Sequence, residues 1–253
     1  MSAIVYIGVD DTDVIGSPGT GKVARGLAKH LVALGLAESL GVSRHQLLVH
    51  PQVKYTSHNS SKGIAVKTDK PISELYQPSA SYVESCAVAG SDPGLCICPE
   101  GKVTAEILAY GLSAEKVVIT KQDALALAAK HDIFLRELGG DGGGVIGALA
   151  AVGLRASGNN GRLVDVRGIR EIKGVVSVAE IKQRTDIVSV QDTQGRVFGD
   201  DEMIDSLDWI RPSLVGGRAV LRVKPMQKDR REVWVPAEKR LKQEHKEEEH
   251  RDE

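Results

Sequence analysis

An apolar run, an acidic glycine-rich loop and an amphipathic segment follow one another near the N-terminus of the chain. Residues 4–9 (IVYIGV) are a short apolar stretch bounded by polar residues, which predicts a buried strand. Beyond the loop, apolar residues recur at helical spacing and stop at Gly35, which predicts a helix with one buried stripe. These apolar residues are Val23, Leu27, Leu31 and Leu34. The order strand, loop, helix is the unit from which α/β folds are built.

Strand and helix candidates continue to alternate up to about residue 157. The predicted strands are residues 46–53 (QLLVHPQV), 63–68 (GIAVKT) and 117–120 (VVIT). The predicted helices are residues 73–86, 103–112, 122–131 and 145–153. Thr120 and Asp123 form a capping-box-like start for the third of these helices. The pattern predicts an α/β fold, with a mixed sheet flanked by helices.

A turn-rich stretch at residues 158–161 (GNNG) marks a change in composition. Beyond it, short β-rich pieces predominate, with one helix predicted at residues 200–210 (DDEMIDSLDWI). We therefore predict an α/β domain over residues 1–157 and a smaller α+β domain over 158–236, for which a ferredoxin-like arrangement is one candidate. Residues 237–253 alternate blocks of charge with almost no apolar residue, which predicts a frayed or disordered tail.

Composition narrows the classes of function. The 253 residues carry a net charge of -1, so the chain has no overall positive field that would attract nucleic acid. Aromatic residues make up 4%, which leaves few side chains on which single-stranded bases could stack. No apolar run is long enough to span a bilayer and no signal peptide is visible, which predicts a cytoplasmic protein without membrane contact. Cys86, Cys96 and Cys98 are too few for a four-thiolate zinc site and are predicted to be reduced thiols.

The first loop nearly matches a nucleotide-binding P-loop. Residues 16–22 (GSPGTGK) fit the pattern G-x-x-x-x-G-K between a strand and a helix. Val23 follows where a P-loop needs a hydroxyl to bind magnesium, and an acidic segment separates the motif from the strand. A divergent P-loop ATP hydrolase is therefore one alternative for the function.

Three aspartates at the end of the first strand point to a cation. Asp10, Asp11 and Asp13 fall within four residues, and two carboxylates about 4 Å apart repel by roughly 4 kcal/mol at an effective dielectric constant near 20. Mg²⁺ takes one or two carboxylates and completes its coordination with water and phosphate. We therefore predict that these aspartates bind Mg²⁺. The alternative is that they only form turn hydrogen bonds and cap local amides.

Two glycine-rich loops and a polar loop are candidates for contact with phosphates. Backbone amides at glycines and at a helix N-terminus can bind phosphate oxygens, and a lysine can add a positive charge. The predicted phosphate or nucleotide contacts are Gly16, Ser17, Gly19, Gly21, Lys22, Asn59, Lys62, Gly142, Gly143 and Gly144. The polar loop that contains Asn59 and Lys62 can equally be a solvated hairpin loop. The combination predicts ATP as the cofactor together with Mg²⁺.

Four stretches carry a family resemblance. They are GVDDTD at residues 8–13 with Thr20 beyond it, KYTSHNSSKGIAV at 54–66, SDPG at 91–94 and GGGVIGALAAVG at 142–153. In this order they resemble the N-terminal kinase-like domain of the archaeal isoleucine-tRNA agmatinylcytidine synthetase family. The resemblance covers most of residues 1–155. It implies that the domain hydrolyses ATP to AMP and phosphates and activates a cytosine carbonyl for attack by agmatine.

The resemblance also implies roles for individual residues. Asp10, Asp11 and Asp13 are implied to bind Mg²⁺, and Thr20 stands where the family's threonine accepts a phosphoryl group. The family has a cysteine before that threonine, whereas this chain has Gly19. The family's OB-fold and zinc ribbon are not expected in this sequence, which has three cysteines.

The expected function is an ATP- and Mg²⁺-dependent enzyme that activates a carbonyl or amide oxygen by phosphoryl or nucleotidyl transfer. A non-catalytic nucleotide-binding or regulatory module is a further alternative. The expected partners are a nucleotide and an unidentified acceptor. tRNA is an acceptor that the net charge does not favour, and a homodimer is one possible assembly.

Overall fold

A computed structural model describes residues 2–56, 58–228 and 231–237 of the chain. The chain divides into two compact units. Unit 1 consists of Met1–Val166 and Leu214–Arg218, and unit 2 of Arg167–Ser213 and Ala219–Glu253. Separate domains over residues 1–157 and 158–236 stay a prediction. The tail predicted from residue 237 lies outside the described residues except for Ala237.

Unit 1 is built on a large antiparallel sheet. Its strands, numbered in chain order, are β1 (Ala3–Asp10), β2 (Glu38–Gln46), β3 (Ser60–Thr68), β4 (Gly94–Pro99), β5 (Phe134–Glu137) and β6 (Arg162–Asp165), with β10 (Ser213–Val215) from later in the chain. The strand order is β10-β6-β2-β3-β1-β4-β5. Pairing is antiparallel between β6 and β2, and from β2 through β3, β1 and β4 to β5. The strand predicted at the N-terminus is thus a central strand.

Helices cover both faces of this sheet, as the sequence predicted. They are α1 (Thr20–Ala33), α2 (Tyr76–Cys86), α3 (Ala105–Ser113), α4 (Lys121–Lys130) and α5 (Val145–Ala156). Successive side chains of a strand point to opposite faces. Accordingly, Val5 and Ile7 of β1 share a core with α1 and α2, whereas Tyr6 packs in a second core with α3, α4 and α5. No helix in the described parts of the chain is long and apolar enough to cross a bilayer.

The Gly- and Ala-rich sequence of α5 allows very close packing. A Cβ atom on Gly8 of β1 would lie 1.8 Å from the carbonyl oxygen of Ala148 in α5. On the opposite side of α5, a Cβ on Gly153 would lie 2.2 Å from the carbonyl oxygen of Ile107 in α3. Real Cβ atoms do not make such contacts, so only glycine fits at these positions. The composition of this helix is therefore explained by contacts on two sides.

Two strands predicted in unit 1 are wrong. Residues 47–53 do not join the sheet, and the observed strand, β2, lies before them. A register shift between Ser39 and Val42 and a φ of 103° at Gly41 interrupt the alternating pattern of β2. Residues 117–120 form no strand because the amide of Val117 donates to Ser113 O and closes a turn after α3. β4 was not predicted from the sequence, and its Cys96 and Cys98 are buried thiols of the second core.

Unit 2 is the smaller α+β part that the sequence predicted. Its elements are β7 (Val175–Ser177), α6 (Val178–Arg184), β8 (Ile187–Asp192), β9 (Met203–Asp205), β11 (Arg218–Lys228) and β12 (Arg231–Pro236). β11 pairs parallel with β8 and antiparallel with β12, and β7 pairs antiparallel with β9. The helix predicted at residues 200–210 is wrong, because Met203–Asp205 forms a ladder with β7. The βαββαβ order of a ferredoxin-like fold is not seen among the described residues of this unit.

The contact between α3 and α5 predicts an unusual sign for a glycine substitution. An alanine normally stabilises a helix interior by about 1 kcal/mol relative to glycine. We expect Gly153→Ala to lower the free energy of unfolding by about 1–3 kcal/mol instead, because the methyl group would overlap Ile107 O. Urea unfolding followed by circular dichroism measures the change. Gly101→Ala, where a Cβ would meet nothing within 4 Å, is the control, and a stabilised Gly153→Ala protein would contradict the packing.

Candidate functional site

The loops that carry the predicted site residues lie together at one edge of the unit 1 sheet, where β1 ends. Asp10 pairs with Gly94 and Gly94 pairs with Glu137, so the ends of β1 and β5 and the start of β4 lie side by side. On the other side of β1, Val9 pairs with Lys62 near the start of β3. In an antiparallel sheet alternate strands end at the same edge. The two glycine-rich loops therefore follow strands that end together.

Two neighbouring cavities open at this edge. The cavity beside α5, called the α5 cavity below, has a volume of about 290 Å³. The α1 cavity, at the start of α1, has a volume of about 250 Å³. Asp10, Asp11, Lys54 and Asn59 line both and form the boundary between them.

Most of the predicted site residues line these cavities. Besides the shared residues, the α1 cavity is lined by Asp13, Gly19, Thr20, Gly21 and Lys62, and the α5 cavity by Gly143 and Gly144. Gly16, Ser17, Lys22 and Gly142 line neither cavity. Thus the three aspartates, Thr20, Asn59 and Lys62 all line the α1 cavity, whereas Gly16, Ser17 and Lys22 of the first loop do not.

Thr20 and Asp13 form a hydrogen-bonded pair at the start of α1. The Thr20 hydroxyl donates to Asp13 Oδ1 at 2.5 Å, and the Thr20 amide donates to the same oxygen at 3.1 Å. The amide of Thr12 donates to Thr20 Oγ1 at 3.3 Å, and the Thr56 hydroxyl donates to Asp13 Oδ2 at 3.3 Å. Thr20 is 5% exposed. A buried hydroxyl is therefore held against a carboxylate that can accept its proton.

A buried lysine supplies positive charge to the same cavity. Lys62 is 7% exposed, and its Nζ donates to Ser60 O at 2.7 Å and to Ser60 Oγ at 3.1 Å. Burial lowers the pKa of Lys62, and the opposite charge of Asp10 acts against this effect. An anion in the α1 cavity would favour the charged form of Lys62 in the same way.

Asp10 lies under the first turn of α5. A Cβ on Gly147 would lie 1.7 Å from Asp10 Oδ2, so the carboxylate occupies the space that a side chain at this helix position would need. Burial raises the pKa of Asp10 above its ordinary value, and Lys62 opposes this shift. The carboxylate therefore lies in an environment that favours either a proton or a cation next to it.

Asp11 adopts a left-handed backbone conformation and is surrounded by other carboxylates. Its φ of 52° belongs to a region that aspartate and asparagine tolerate better than most residues. Burial, followed by the charges of Asp92, Asp13 and Asp141, raises the pKa of Asp11 to about 6. Asp11 and the three carboxylates that act on it therefore form an acidic cluster beside the two cavities, which is an electrostatic reason for a cation to bind there.

The second glycine-rich loop is held by its own hydrogen bonds. Its amides donate within the protein: Gly142 N to Gly139 O at 3.2 Å, Gly143 N to Asp141 Oδ1 at 2.9 Å and Gly144 N to Asp92 O at 2.9 Å. Phosphate binding by these amides stays a prediction that requires the loop to rearrange. In the observed conformation the loop presents backbone of Gly143 and Gly144 to the α5 cavity.

The first glycine-rich loop divides into a turn and a helix start. Gly16, with a φ of 86°, lies in a turn that Ser17 closes by donating its amide to Val14 O at 3.0 Å. Gly19 and Gly21 lie at the N-terminus of α1, where the Thr20 amide donates to Asp13 Oδ1 at 3.1 Å and the Lys22 amide donates to Gly19 O at 2.8 Å. Lys22 is exposed on the helix surface. The part of the loop near Thr20 is thus the part that faces the cavity.

Four charged residues that line the cavities were not predicted from the sequence as site residues. They are Arg44 in the α1 cavity, Asp92 and Asp141 in the α5 cavity, and Lys54 in both. Asp92 Oδ1 accepts from the amide of Asp141 at 2.7 Å, and Lys54 donates to Asp141 Oδ2 at 2.6 Å. Asp92 belongs to the SDPG stretch that carried part of the resemblance, so that signal was present. Arg44 lies on β2, which was not predicted.

The α5 cavity combines acidic groups with an apolar wall. The wall includes Leu47, Leu48, Val117, Val118, Ile119 and Ile146. The segment predicted as a strand at residues 117–120 therefore contributes to a cavity rather than to the sheet. This cavity suits a ligand with an apolar or planar part, whereas the α1 cavity has hydroxyls, cations and a helix N-terminus.

The carboxylates of the site do not form a complete set of metal ligands by themselves among the described residues. Among the described residues no group of three His, Cys, Asp or Glu side chains converges as a set of metal ligands. The Asp13 carboxylate accepts hydrogen bonds from the hydroxyls of Thr20 and Thr56. Burial raises the pKa values of Asp10 and Asp11. Asp10 and Asp11 therefore fit the one or two carboxylates that Mg²⁺ takes in a site completed by phosphate and water.

Solved structures are similar to this chain, although no family model and no curated protein match it. A tRNA fluorescent labelling enzyme is 26% identical, with a TM-score of 0.52 over 59% of this chain and 36% of that chain. TiaS in complex with an isoleucine tRNA, AMPCPP and agmatine is 25% identical, with a TM-score of 0.51 over 60% of this chain and 36% of that chain. TiaS in complex with an isoleucine tRNA and ATP is 25% identical, with a TM-score of 0.53 over 65% of this chain and 38% of that chain.

The resemblance that the motifs predicted is confirmed by these structures. TiaS is an agmatidine synthetase that acts on an isoleucine tRNA. This chain spans just over a third of the length of the solved structures that it matches. About 60% of this chain is therefore similar in structure to a part of the tRNA agmatidine synthetase TiaS.

Proposed function

We propose that unit 1 is the ATP- and Mg²⁺-dependent part of an enzyme that activates a carbonyl or amide oxygen by phosphoryl or nucleotidyl transfer. The similarity to structures of TiaS that contain ATP or AMPCPP supports an ATP-dependent enzyme. The observation that carries the proposal lies in this chain. It is the buried Thr20 hydroxyl, 2.5 Å from Asp13 Oδ1, in a cavity that Lys62 also lines.

Thr20 and Asp13 act as nucleophile and base in this proposal. Thr20 Oγ1 forms a bond to the terminal phosphorus of ATP, the bond from that phosphorus to its bridging oxygen breaks and releases ADP, and Asp13 accepts the hydroxyl proton. Thr56 and the Thr20 amide hold the carboxylate of Asp13 in place. Lys62 and the start of α1 offset the negative charge of the phosphates. The work of the site is mostly positioning and charge neutralisation.

Asp10 and Asp11 are the proposed Mg²⁺ ligands. Held by Asp10 and Asp11, Mg²⁺ would supply positive charge that offsets the negative charge of the phosphates. Its charge would also favour the ionised form of both carboxylates, which burial and mutual repulsion otherwise oppose. The acceptor is proposed by class alone, as a carbonyl or amide oxygen. tRNA as that acceptor, a homodimer and a cytoplasmic location stay predictions.

The threonine step predicts a covalent product. We expect wild-type protein incubated with Mg²⁺ and ATP labelled in the terminal phosphate to incorporate label at Thr20. Thr20→Val should abolish incorporation because no oxygen remains to accept the phosphoryl group, and Thr20→Ser should retain it. Mass spectrometry of peptides locates the label. Thr193→Val, in an exposed turn of unit 2, is the matched control.

The products of the same incubation separate the proposed function from its alternatives. ADP together with labelled Thr20 supports the threonine step, and AMP supports activation by nucleotidyl transfer. ADP without labelled protein supports a hydrolase. Unchanged ATP with measurable binding supports a regulatory module and contradicts the catalytic proposal. Release of AMP without label would leave Thr20 as a phosphate ligand only.

Replacing Asp11 with asparagine is expected to have opposite effects on the stability of the fold and on ligand binding. Because the pKa of Asp11 is raised to about 6 in the folded protein, its ionisation destabilises the fold as pH rises from about 4 through 6. Asp11→Asn removes this charge and suits the left-handed conformation. We expect it to stabilise the ligand-free protein at pH 8 by about 1 kcal/mol, after allowance for solvent screening, and to weaken Mg²⁺-ATP binding.

Thermal unfolding between pH 4.5 and 8 measures the first effect, and calorimetric titration with Mg²⁺-ATP measures the second. The gain in stability should shrink as pH falls below 6, where the wild-type carboxylate is protonated in the folded state. Asp69→Asn, at an exposed aspartate after β3, is the control for a general change of net charge. Unchanged affinity in Asp11→Asn would remove Asp11 from the proposed Mg²⁺ site.

A further inference from the structure

The ammonium group of Lys54 lies among the carboxylates at the boundary of the two cavities. Lys54 lines both cavities, and its Nζ donates to Asp141 Oδ2 at 2.6 Å. The hydrogen bond to Asp141 raises the pKa of Lys54, and the negative charges of Asp92 and Asp11 add to this effect. The protein thus places a cation of its own beside the acidic cluster.

The ion pair joins two loops that lie on opposite sides of β1. Lys54 belongs to the loop between β2 and β3, and Asp141 to the loop between β5 and α5. In the sheet β3 is the neighbour of β1 on one side, and β4 followed by β5 lies on the other. The contact between Lys54 and Asp141 therefore bridges the end of β1, which Asp11 follows directly.

The carboxylates of this loop are held in place by backbone groups as well as by Lys54. Asp141 Oδ1 accepts from the Gly143 amide at 2.9 Å, and the Asp141 amide donates to Asp92 Oδ1 at 2.7 Å. Lys121 Nζ donates to the carbonyl oxygen of Asp141 at 2.8 Å. These contacts remain when Lys54 leaves, so the acidic cluster does not depend on the ion pair for its geometry.

The ion pair can exchange with another cation because it is exposed. The side chains of Lys54 and Asp141 are 81% and 55% exposed, and solvent screening makes such a pair weak. A single ammonium also leaves much of the repulsion in place, since burial and the charges of other carboxylates raise the pKa of Asp11 to about 6. A divalent cation carries twice the charge and suits carboxylate oxygens.

We infer that the Lys54 ammonium is an internal counter-ion that competes with a divalent cation for the acidic boundary of the two cavities. The inference rests on the proposed function, because the competing ion is the Mg²⁺ proposed to bind Asp10 and Asp11. The apparent affinity for that ion is reduced by the fraction of molecules in which Lys54 holds the boundary. Lys54 therefore restrains cation binding until a divalent ion displaces it.

Titration of the full chain with Mn²⁺ in the absence of nucleotide tests this competition. Mn²⁺ takes the same oxygen ligands as Mg²⁺, and electron paramagnetic resonance measures the free ion. We expect Lys54→Met to bind Mn²⁺ about 3- to 5-fold more tightly than the wild type, the range that an exposed ion pair supports. Lys54→Arg retains the charge and should bind as the wild type does.

Two further variants separate this competition from a general change of charge. Lys121→Met is the matched control, because Lys121 also contacts the Asp141 loop but pairs with Glu137 and lines neither cavity. It should tighten Mn²⁺ binding less than Lys54→Met does. In an Asp141→Asn background, Lys54→Met should have little effect, because the partner that holds the ammonium is already lost.

The outcomes distinguish this competition from the proposed function. Circular dichroism establishes that each variant is folded before titration. Unchanged or weaker Mn²⁺ binding in Lys54→Met, or equal tightening in Lys121→Met, overturns the competition even if Thr20 is labelled from ATP. Absence of Mn²⁺ binding in both the wild type and Lys54→Met overturns it together with the proposed Mg²⁺ site. Tighter binding in Lys54→Met alone, in a protein that leaves ATP unchanged, supports the competition and contradicts the catalytic proposal.

Discussion

The close contact between α5 and the sheet is the constraint on which the rest of unit 1 depends. Gly8, Gly94 and Gly147 have no side chains, and a Cβ at each would come within 2.1 Å of an atom of the facing element. This contact brings the start of α5 over the end of β1 and presses it onto Asp10. A larger residue at any of the three positions would move the helix away and open the boundary between the two cavities to water. The glycines of the sequence therefore determine how strongly the carboxylates are desolvated.

Desolvation in turn gives the site its electrostatic character. Asp10 and Asp11 are raised in pKa chiefly by burial, and Lys62 is lowered in pKa chiefly by burial. In each case the charged form is disfavoured in the ligand-free protein, so a polyphosphate together with a cation would relieve both penalties at once. Stability of the ligand-free fold and readiness to bind are therefore opposed at these positions, as is common where a site holds like charges close together.

Sequence patterns could predict those parts of unit 1 in which periodicity and function coincide. The helix α1 could be predicted because its apolar residues recur at regular helical spacing. The loop before Thr20 could be predicted because its acidic segment lies outside this apolar pattern. Arg44 could not be identified, because the φ of 103° at Gly41 breaks the alternation of β2 and hides the strand. The apolar residues near Val117 were misassigned because a cavity wall and a buried strand have the same composition. The hydrogen bond between Asp13 and Thr20 could not be predicted from the spacing of the residues, because it depends on how the loop folds back on the helix.

The two cavities differ in charge and share two carboxylates, so a ligand in one would affect the binding of a charged ligand in the other. Hydroxyl, cations and helix amides lie in the α1 cavity, whereas the apolar wall and Asp92 and Asp141 lie in the α5 cavity. Asp10 and Asp11 stand between them, so a cation held there would neighbour the phosphates on one side and the second cavity on the other. A polyphosphate bound near Lys62 would change the field at Asp11 through that cation, and with it the affinity of the α5 cavity for a charged ligand. With a cation bound as proposed, coupling between the two cavities would follow from the shared carboxylates without any movement of the fold.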